Sequence, residues 1–98
     1  MTRSLAICQS DVDMVFVALD ILERNDTIGR HGFICDRSGR VIIPVYTEKS
    51  DLRGRQARDF LRTLNLSLDE FQSLIDGRMS RDAYLMILQT RLDGAPWT

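Results

Sequence analysis

Apolar residues recur at helical spacing in three short segments of the second half of the chain. Each segment starts after a serine and stops at an asparagine or a glycine: Ser50 to Asn65, Ser67 to Gly77, and Ser80 to Gly94. Serine is a favoured N-cap, and Asn and Gly tolerate the left-handed conformation that ends many helices. Ser67 and Glu70 also match the capping-box pattern. These signals predict three short helices. Their predicted inward faces are Leu52, Ala57, Phe60, Leu61 and Leu64; Leu68, Phe71, Leu74 and Ile75; and Tyr84, Leu85, Ile87, Leu88 and Leu92.

The first half of the chain opens with an unusually apolar helical pattern. Ser10 is a good N-cap, and acidic residues follow in the first turn, where carboxylates complement the helix dipole. The helical spacing is carried by Val12, Val15, Phe16, Leu19 and Leu22. Met14 and Val17 add apolar surface on other faces, so we expect this helix to be buried on more than one side. A homodimer through the helix from Val12 to Leu22 is a second expectation.

Two β-rich runs, at residues 32–36 and 40–46, flank a Ser-Gly turn and predict a β-hairpin. Pro44 has no N–H to donate, so the second strand is predicted to lie at an edge or to be bulged. Residues 4–8 predict either a short strand or the lead-in to the first helix. The predicted fold is therefore a single small α+β domain. An N-terminal apolar helix and the hairpin occupy residues 1–49, three short helices occupy 50–94, and a tail occupies 95–98.

Composition supports a globular, non-membrane protein. The chain has 98 residues, of which 44% are hydrophobic and 28% charged, a balance typical of one folded domain. The uncharged run from Met14 to Leu19 is much shorter than the ~20 residues that span a bilayer. The first eight residues do not resemble a secretory signal, so we predict a cytoplasmic location. Cys8 and Cys35 are predicted to be reduced core residues rather than a disulfide.

The net charge of −1 conceals an uneven distribution along the chain. Residues 30–62 hold eight basic and four acidic residues, whereas the segments on either side are acidic. Arg55, Arg58 and Arg62 are spaced to share one helix face, and they form with Arg53 the predicted partner-binding set. Such a stripe can face phosphate or an acidic protein surface. The alternative is an ordinary solvated helix face.

The stretch from Leu64 to Ile75 resembles the start of a helix-turn-helix unit of the phage-repressor type. In that family a Leu-Ser-x-Glu-Glu-Phe phrase opens the first motif helix, and this chain has Leu-Ser-Leu-Asp-Glu-Phe at residues 66–71. The resemblance implies DNA binding, with Arg78 and Arg81 at the entry to the last helix as candidate nucleic-acid contacts. The chain departs from the family at Gln72, where a small residue is usual. Its turn is longer, and the would-be recognition helix is mostly apolar.

The chain carries no motif for catalysis or metal binding. His31, Cys35, Cys8 and Asp36 are the only set that resembles a metal site or a Cys–His pair, and their spacing matches no common zinc pattern. We therefore predict no catalytic residue, no metal and no cofactor.

The predicted function is that of a small non-enzymatic regulatory or inhibitory protein that binds another protein. Phage- and mobile-element-encoded inhibitors are one class of such proteins. The alternative is a helix-turn-helix DNA-binding transcriptional regulator. A salt titration of binding separates the two, because phosphate-driven affinity falls steeply with salt.

Overall fold

The computed structural model describes residues 5–24 and 28–93, with side chains through residue 92. The described residues form four helices and five short strands, which confirms the predicted α+β class. In chain order these are β1 (Ala6–Ile7), α1 (Gln9–Ala18), β2 (Leu22–Arg24), β3 (Arg30–Cys35), β4 (Val41–Thr47), β5 (Leu52–Arg53), α2 (Arg55–Leu64), α3 (Leu68–Ile75) and α4 (Arg81–Asp93). The predicted break at residues 25–27, the helix end at Gly94 and the tail at 95–98 lie outside the described residues.

Helix α1 both begins and ends earlier than predicted. It begins at Gln9 with Cys8 as N-cap, so the prediction of Ser10 as N-cap is wrong. It ends at Ala18, because Asp20 takes a left-handed conformation with φ of 53° that stops the helical hydrogen-bond pattern. The Asp20 N–H bonds to the Val17 carbonyl and the Ile21 N–H to the Phe16 carbonyl, which is the Schellman arrangement. Leu22 therefore lies in a strand and is exposed.

The buried side of α1 is a single face. Val12, Val15 and Phe16 are buried, whereas Met14 is 46% and Val17 is 81% exposed. The expectation of burial on more than one side is therefore wrong for the isolated chain. The Arg30 guanidinium lies 4.3 Å from the centre of the Phe16 ring, within cation–π range.

The predicted hairpin is confirmed and extended by a third strand. Strands β2, β3 and β4 form an antiparallel sheet in that order, with β3 in the centre and an irregularity between Ile34 and Cys35. Pro44 lies in β4, an edge strand as predicted, where a missing N–H is tolerated. Strand β1 confirms the strand alternative for its segment, and it pairs antiparallel with β5 in a separate two-stranded sheet.

The second helix starts four residues later than predicted from Ser50 as its N-cap. Helix α2 has Gly54 as N-cap, with φ of 53°, and no side chain caps it. Ser50 and Asp51 instead serve the first helix. The Asp51 carboxylate accepts a hydrogen bond from the Gln9 N–H at 2.9 Å, and the Gln9 side chain donates to the Glu48 and Ser50 carbonyls. A carboxylate at this point satisfies an N–H that the first turn of α1 leaves open.

The remaining predicted helix ends are confirmed. Asn65 ends α2 in the left-handed conformation, and Ser67 and Glu70 form both bonds of the capping box at the start of α3. Gly77 follows α3 with φ of 80°, and the Ser80 hydroxyl accepts from the Ala83 N–H at the start of α4.

One core joins all four helices to the sheets. Helix α1 packs against α3, and α2 packs against β4 and β5. Tyr84 is fully buried in α4 and donates a 2.8 Å hydrogen bond to the Leu64 carbonyl. Most predicted inward residues are buried or half-buried, but Leu68 and Leu92 are exposed. In the described part of the chain, no helix has the length and hydropathy to cross a bilayer.

Candidate functional site: a basic groove on helix α2

Three arginines of α2 line one shallow groove on the surface. Arg55, Arg58 and Arg62 lie at i, i+3 and i+7 and point away from the core, while Ala57, Phe60, Leu61 and Leu64 are buried on the opposite face. With Asp59 they enclose a depression of about 510 Å³, which we call the basic groove. The helical spacing predicted from the sequence is thus realised, and it brings the three guanidinium groups to one surface.

The electrostatics of the basic groove favour an anion. Three guanidinium groups face one carboxylate, that of Asp59. None of the three forms an ion pair or a side-chain hydrogen bond with a residue in the described ranges 5–24 and 28–93. Arg55 also lies in the first turn of α2, which contains no acidic residue. The partial positive charge of the helix N-terminus therefore adds to the field of the arginines instead of being neutralised.

The other candidate arginines lie elsewhere. Arg53 is exposed on β5, next to α2, but it does not line the basic groove. Arg78 is exposed in the connection between α3 and α4. Arg81 is half-buried, and its guanidinium donates to the Leu19 carbonyl at 3.3 Å and to the Cys35 carbonyl at 3.0 Å. Arg81 thus connects α4 to the turn after α1 and to the end of β3.

No protein-family model, no curated protein and no solved structure matches this chain.

Two further surfaces were not predicted from the sequence. An apolar groove lies between α1 and α3, lined in part by Met14, Val17 and Leu74. On the sheet, the ring centre of His31 lies 5.2 Å from that of Phe33 and 6.5 Å from that of Tyr46. Alternation along β3 and β4 was visible in the sequence. The register that places His31 opposite Tyr46 was not.

The cysteines are both free, but only one belongs to the core. Cys35 is buried and Cys8 is exposed, with its Sγ 3.0 Å from the Ser10 hydroxyl. The core prediction is therefore confirmed for Cys35 and wrong for Cys8, because Cys8 is the N-cap of α1. Within the part of the chain that the structure describes, no group of three or more His, Cys, Asp or Glu side chains could hold a metal ion.

Proposed function

We propose that this protein is a small non-enzymatic regulatory or inhibitory protein, and that its basic groove binds an acidic surface of another protein. The observation that supports the proposal is the set of three exposed guanidinium groups in one groove, without a described ionic partner. Arginine presents a planar fork of donors that pairs bidentately with carboxylates, and it is enriched at interface hot spots.

A cytoplasmic location suits this role. Free thiols persist in reducing compartments, whereas exposed cysteines of secreted proteins are usually paired. Cys8 is both free and exposed, so we place the interaction in the cytoplasm.

DNA binding is the alternative function, supported by the capping box at the start of α3 and by the exposed Arg78. Base reading would require donors on α4. At the N-terminal end of α4, where a recognition helix contacts bases, the exposed residues are Asp82 and Ala83, and Arg81 donates to backbone carbonyls. This arrangement favours the protein partner over DNA.

The proposal is tested by replacing Arg55, Arg58 and Arg62 together with serine. The fold should be retained, because exposed charges contribute little to stability. Binding of a fluorescent Glu-rich helical peptide, measured by anisotropy at low salt, should weaken at least about tenfold, mainly through slower association. Capture of protein partners from a nuclease-treated lysate should decrease in parallel.

The matched control replaces three other exposed cations, Arg37, Arg40 and Lys49, with serine. It makes the same change in net charge but leaves the basic groove intact, so it should bind the acidic peptide like the wild type. Equal binding by both triple variants would show that only net charge matters and would contradict the proposal. Tighter binding to duplex DNA than to the peptide, lost on changing Arg78, would favour the DNA-binding alternative.

A further inference from the structure

The basic groove presents a short and dense patch of positive charge. Its lining consists of three arginines and one aspartate, which together carry a net charge of +2. Arg55 and Arg62 are seven residues apart on α2, so the three arginines span only about 10 Å along the helix axis. An anion that matches this patch concentrates about two negative charges within that length.

The same groove is rich in hydrogen-bond donors. Each guanidinium carries five N–H donors and no acceptor, and every lining residue of the groove is charged. Within the described ranges 5–24 and 28–93, the three guanidinium groups form no ion pair or side-chain hydrogen bond. Binding here therefore depends on charge and hydrogen bonding, and it favours a ligand with many acceptor atoms.

A phosphate monoester meets these requirements better than a carboxylate does. Phosphoserine or phosphothreonine carries about −1.5 to −2 charges at pH 7 and three strong acceptor oxygens on one phosphorus, which balances the charge of the groove. A carboxylate carries one charge on two oxygens, so two of them would have to lie at matching positions. Arginine binds phosphate bidentately, and arginine clusters are a recurring means of recognising phosphorylated peptides.

A second cavity adjoins the basic groove. Asp59 lines both, and the second cavity, which we call the side cavity, has a volume of about 190 Å³. Its lining includes Tyr46, Leu52 and Phe60, and its two charged residues, Glu48 and Asp59, are both acidic. The side cavity therefore favours an apolar side chain and disfavours a second anion.

This combination selects a phosphopeptide among phosphate-bearing ligands. A peptide places an uncharged side chain directly beside its one phosphorylated residue. A nucleic acid instead carries a phosphate at every nucleotide, and its next phosphates would approach the acidic residues of the side cavity.

We propose that the basic groove binds a phosphoserine or phosphothreonine of a partner protein, and that the side cavity takes an apolar side chain of the same segment. This inference rests on the function proposed above, and it names the anion that the basic groove prefers.

Three fluorescent peptides of otherwise identical, uncharged sequence test the preference. Each has a leucine on either side of one central residue, which is serine, phosphoserine or glutamate. By anisotropy at about 0.1 M salt, where long-range attraction is screened, the phosphoserine peptide should bind the wild-type protein at least about tenfold more tightly than the glutamate peptide. The serine peptide should bind most weakly.

The pH dependence identifies the phosphate dianion as the ligand. The second pKa of phosphoserine is about 6, so lowering the pH from about 7.5 to about 5.5 should weaken the phosphoserine peptide about threefold. The glutamate peptide remains ionised across this range, and it therefore reports any titration of the protein itself. Its affinity should stay within about 1.5-fold.

Two protein variants and one further peptide locate the site. Arg58→Ser removes the middle guanidinium and should weaken the phosphoserine peptide at least about tenfold. Arg40→Ser changes an exposed arginine that lines neither cavity, so it should leave the affinity unchanged. Replacing both leucines of the phosphoserine peptide with serine should weaken it about fivefold, because the side cavity is then left unfilled.

The outcomes separate this inference from the proposed function. Equal affinity for the phosphoserine and glutamate peptides, with both lost in the triple serine variant of the basic groove, would overturn the phosphate preference and leave the acidic partner surface in place. Binding of both peptides that does not depend on the arginines would contradict both proposals. Tighter binding to a single-stranded oligonucleotide than to the phosphoserine peptide, or no effect of its leucines, would overturn the assignment to a phosphopeptide.

Discussion

Arginine has two separate roles in this protein, and the contacts of each guanidinium decide which role it has. Arg30, Arg81 and Arg91 donate to carboxylates or backbone carbonyls of other elements and hold those elements together. The arginines of the basic groove project from a helix whose other face is buried. Partners contributed by distant elements therefore distinguish a structural arginine from one available for binding.

Close packing requires glycine at Gly32 in β3 and at Gly29 in the bend just before that strand. A Cβ at Gly32 would lie 2.5 Å from the Ile21 Cγ2 and 2.7 Å from the Leu22 carbonyl oxygen, and one at Gly29 would meet the Tyr46 ring. The carbonyl belongs to the paired strand β2, so it cannot move without disturbing the ladder.

We expect Gly32→Ala to lower the free energy of unfolding by about 3 kcal/mol, measured by urea denaturation, because the added methyl group overpacks the interface. Gly39→Ala is the matched control. A Cβ at Gly39 meets no atom within 4 Å, but φ is 86° there. Gly39→Ala should therefore lower the free energy of unfolding by only about 1 kcal/mol, the cost of placing an alanine in the left-handed conformation. The packing argument fails if Gly39→Ala is the more damaging change.

Among the elements, an ion pair connects the first turn of α3 to the last turn of α4. The Arg91 guanidinium donates to both oxygens of Glu70, at 2.8 and 2.6 Å, and also donates to the Asn65 carbonyl. Glu70 accepts at the same time from the Ser67 N–H at 2.8 Å. The hydrogen bond from Arg91 is the main reason that the pKa of Glu70 falls to about 2, with the Ser67 N–H as the next cause.

This lowered pKa predicts a pH-dependent stability. The pKa of Glu70 is about 2 in the folded chain and 4.5 ordinarily, so its stabilisation is present above the ordinary pKa and is lost as the pH falls toward the folded one. Glu70→Gln retains an oxygen acceptor for the cap but removes the charge. Between about pH 5 and pH 2, the free energy of unfolding of the wild type should therefore fall by about 1–2 kcal/mol more than that of Glu70→Gln. This difference is smaller than the full pKa shift would give, because solvent partly screens the exposed pair.

Thermal unfolding followed by circular dichroism across this pH range would measure the difference. Asp69→Asn, which changes an exposed carboxylate of the same helical turn, is the control and should retain the pH profile of the wild type. Parallel profiles for Glu70→Gln and the wild type would show that the pair with Arg91 does not stabilise the fold.

At the scale of the whole molecule, Arg81 joins the N-terminal and C-terminal halves. Its guanidinium, at the start of α4, reaches the Leu19 carbonyl after α1 and the Cys35 carbonyl at the end of β3. The buried side chains Tyr84 and Leu88 of the same helix enter the common core. Helix α4 is therefore packed into the common core and bonded to the end of β3.

We expect Arg81→Met to lower the free energy of unfolding by about 2 kcal/mol, because two carbonyls lose a charged donor. Arg78→Met, an exposed neighbour, should change stability by less than about 0.5 kcal/mol. Urea unfolding followed by Tyr fluorescence and by circular dichroism provides the measurement. If the two variants were equally stable, Arg81 would not stabilise the fold. It would then again be a candidate DNA contact.

Features that depend on neighbours within one helical turn or one hairpin could be predicted from the amino-acid sequence. The capping box of Ser67 and Glu70, the left-handed ends at Asn65 and Gly77, and the hairpin strands are all confirmed. The same local spacing brought the arginines of α2 to one face. These features follow from backbone geometry and short-range hydrogen bonds, whose partners lie a few residues apart.

Features whose partners are distant in the chain could not be predicted and became visible in the folded molecule. Leu22 continues the apolar spacing of α1, yet residues 22–24 form a strand because β3 offers a hydrogen-bonding edge and Asp20 permits the left-handed turn. Asp51 caps α1 rather than the helix that follows it. The apolar groove likewise combines walls that are about sixty residues apart in sequence. In each case packing or pairing between remote segments outweighed the local preference, and no local pattern specifies which remote segments will meet.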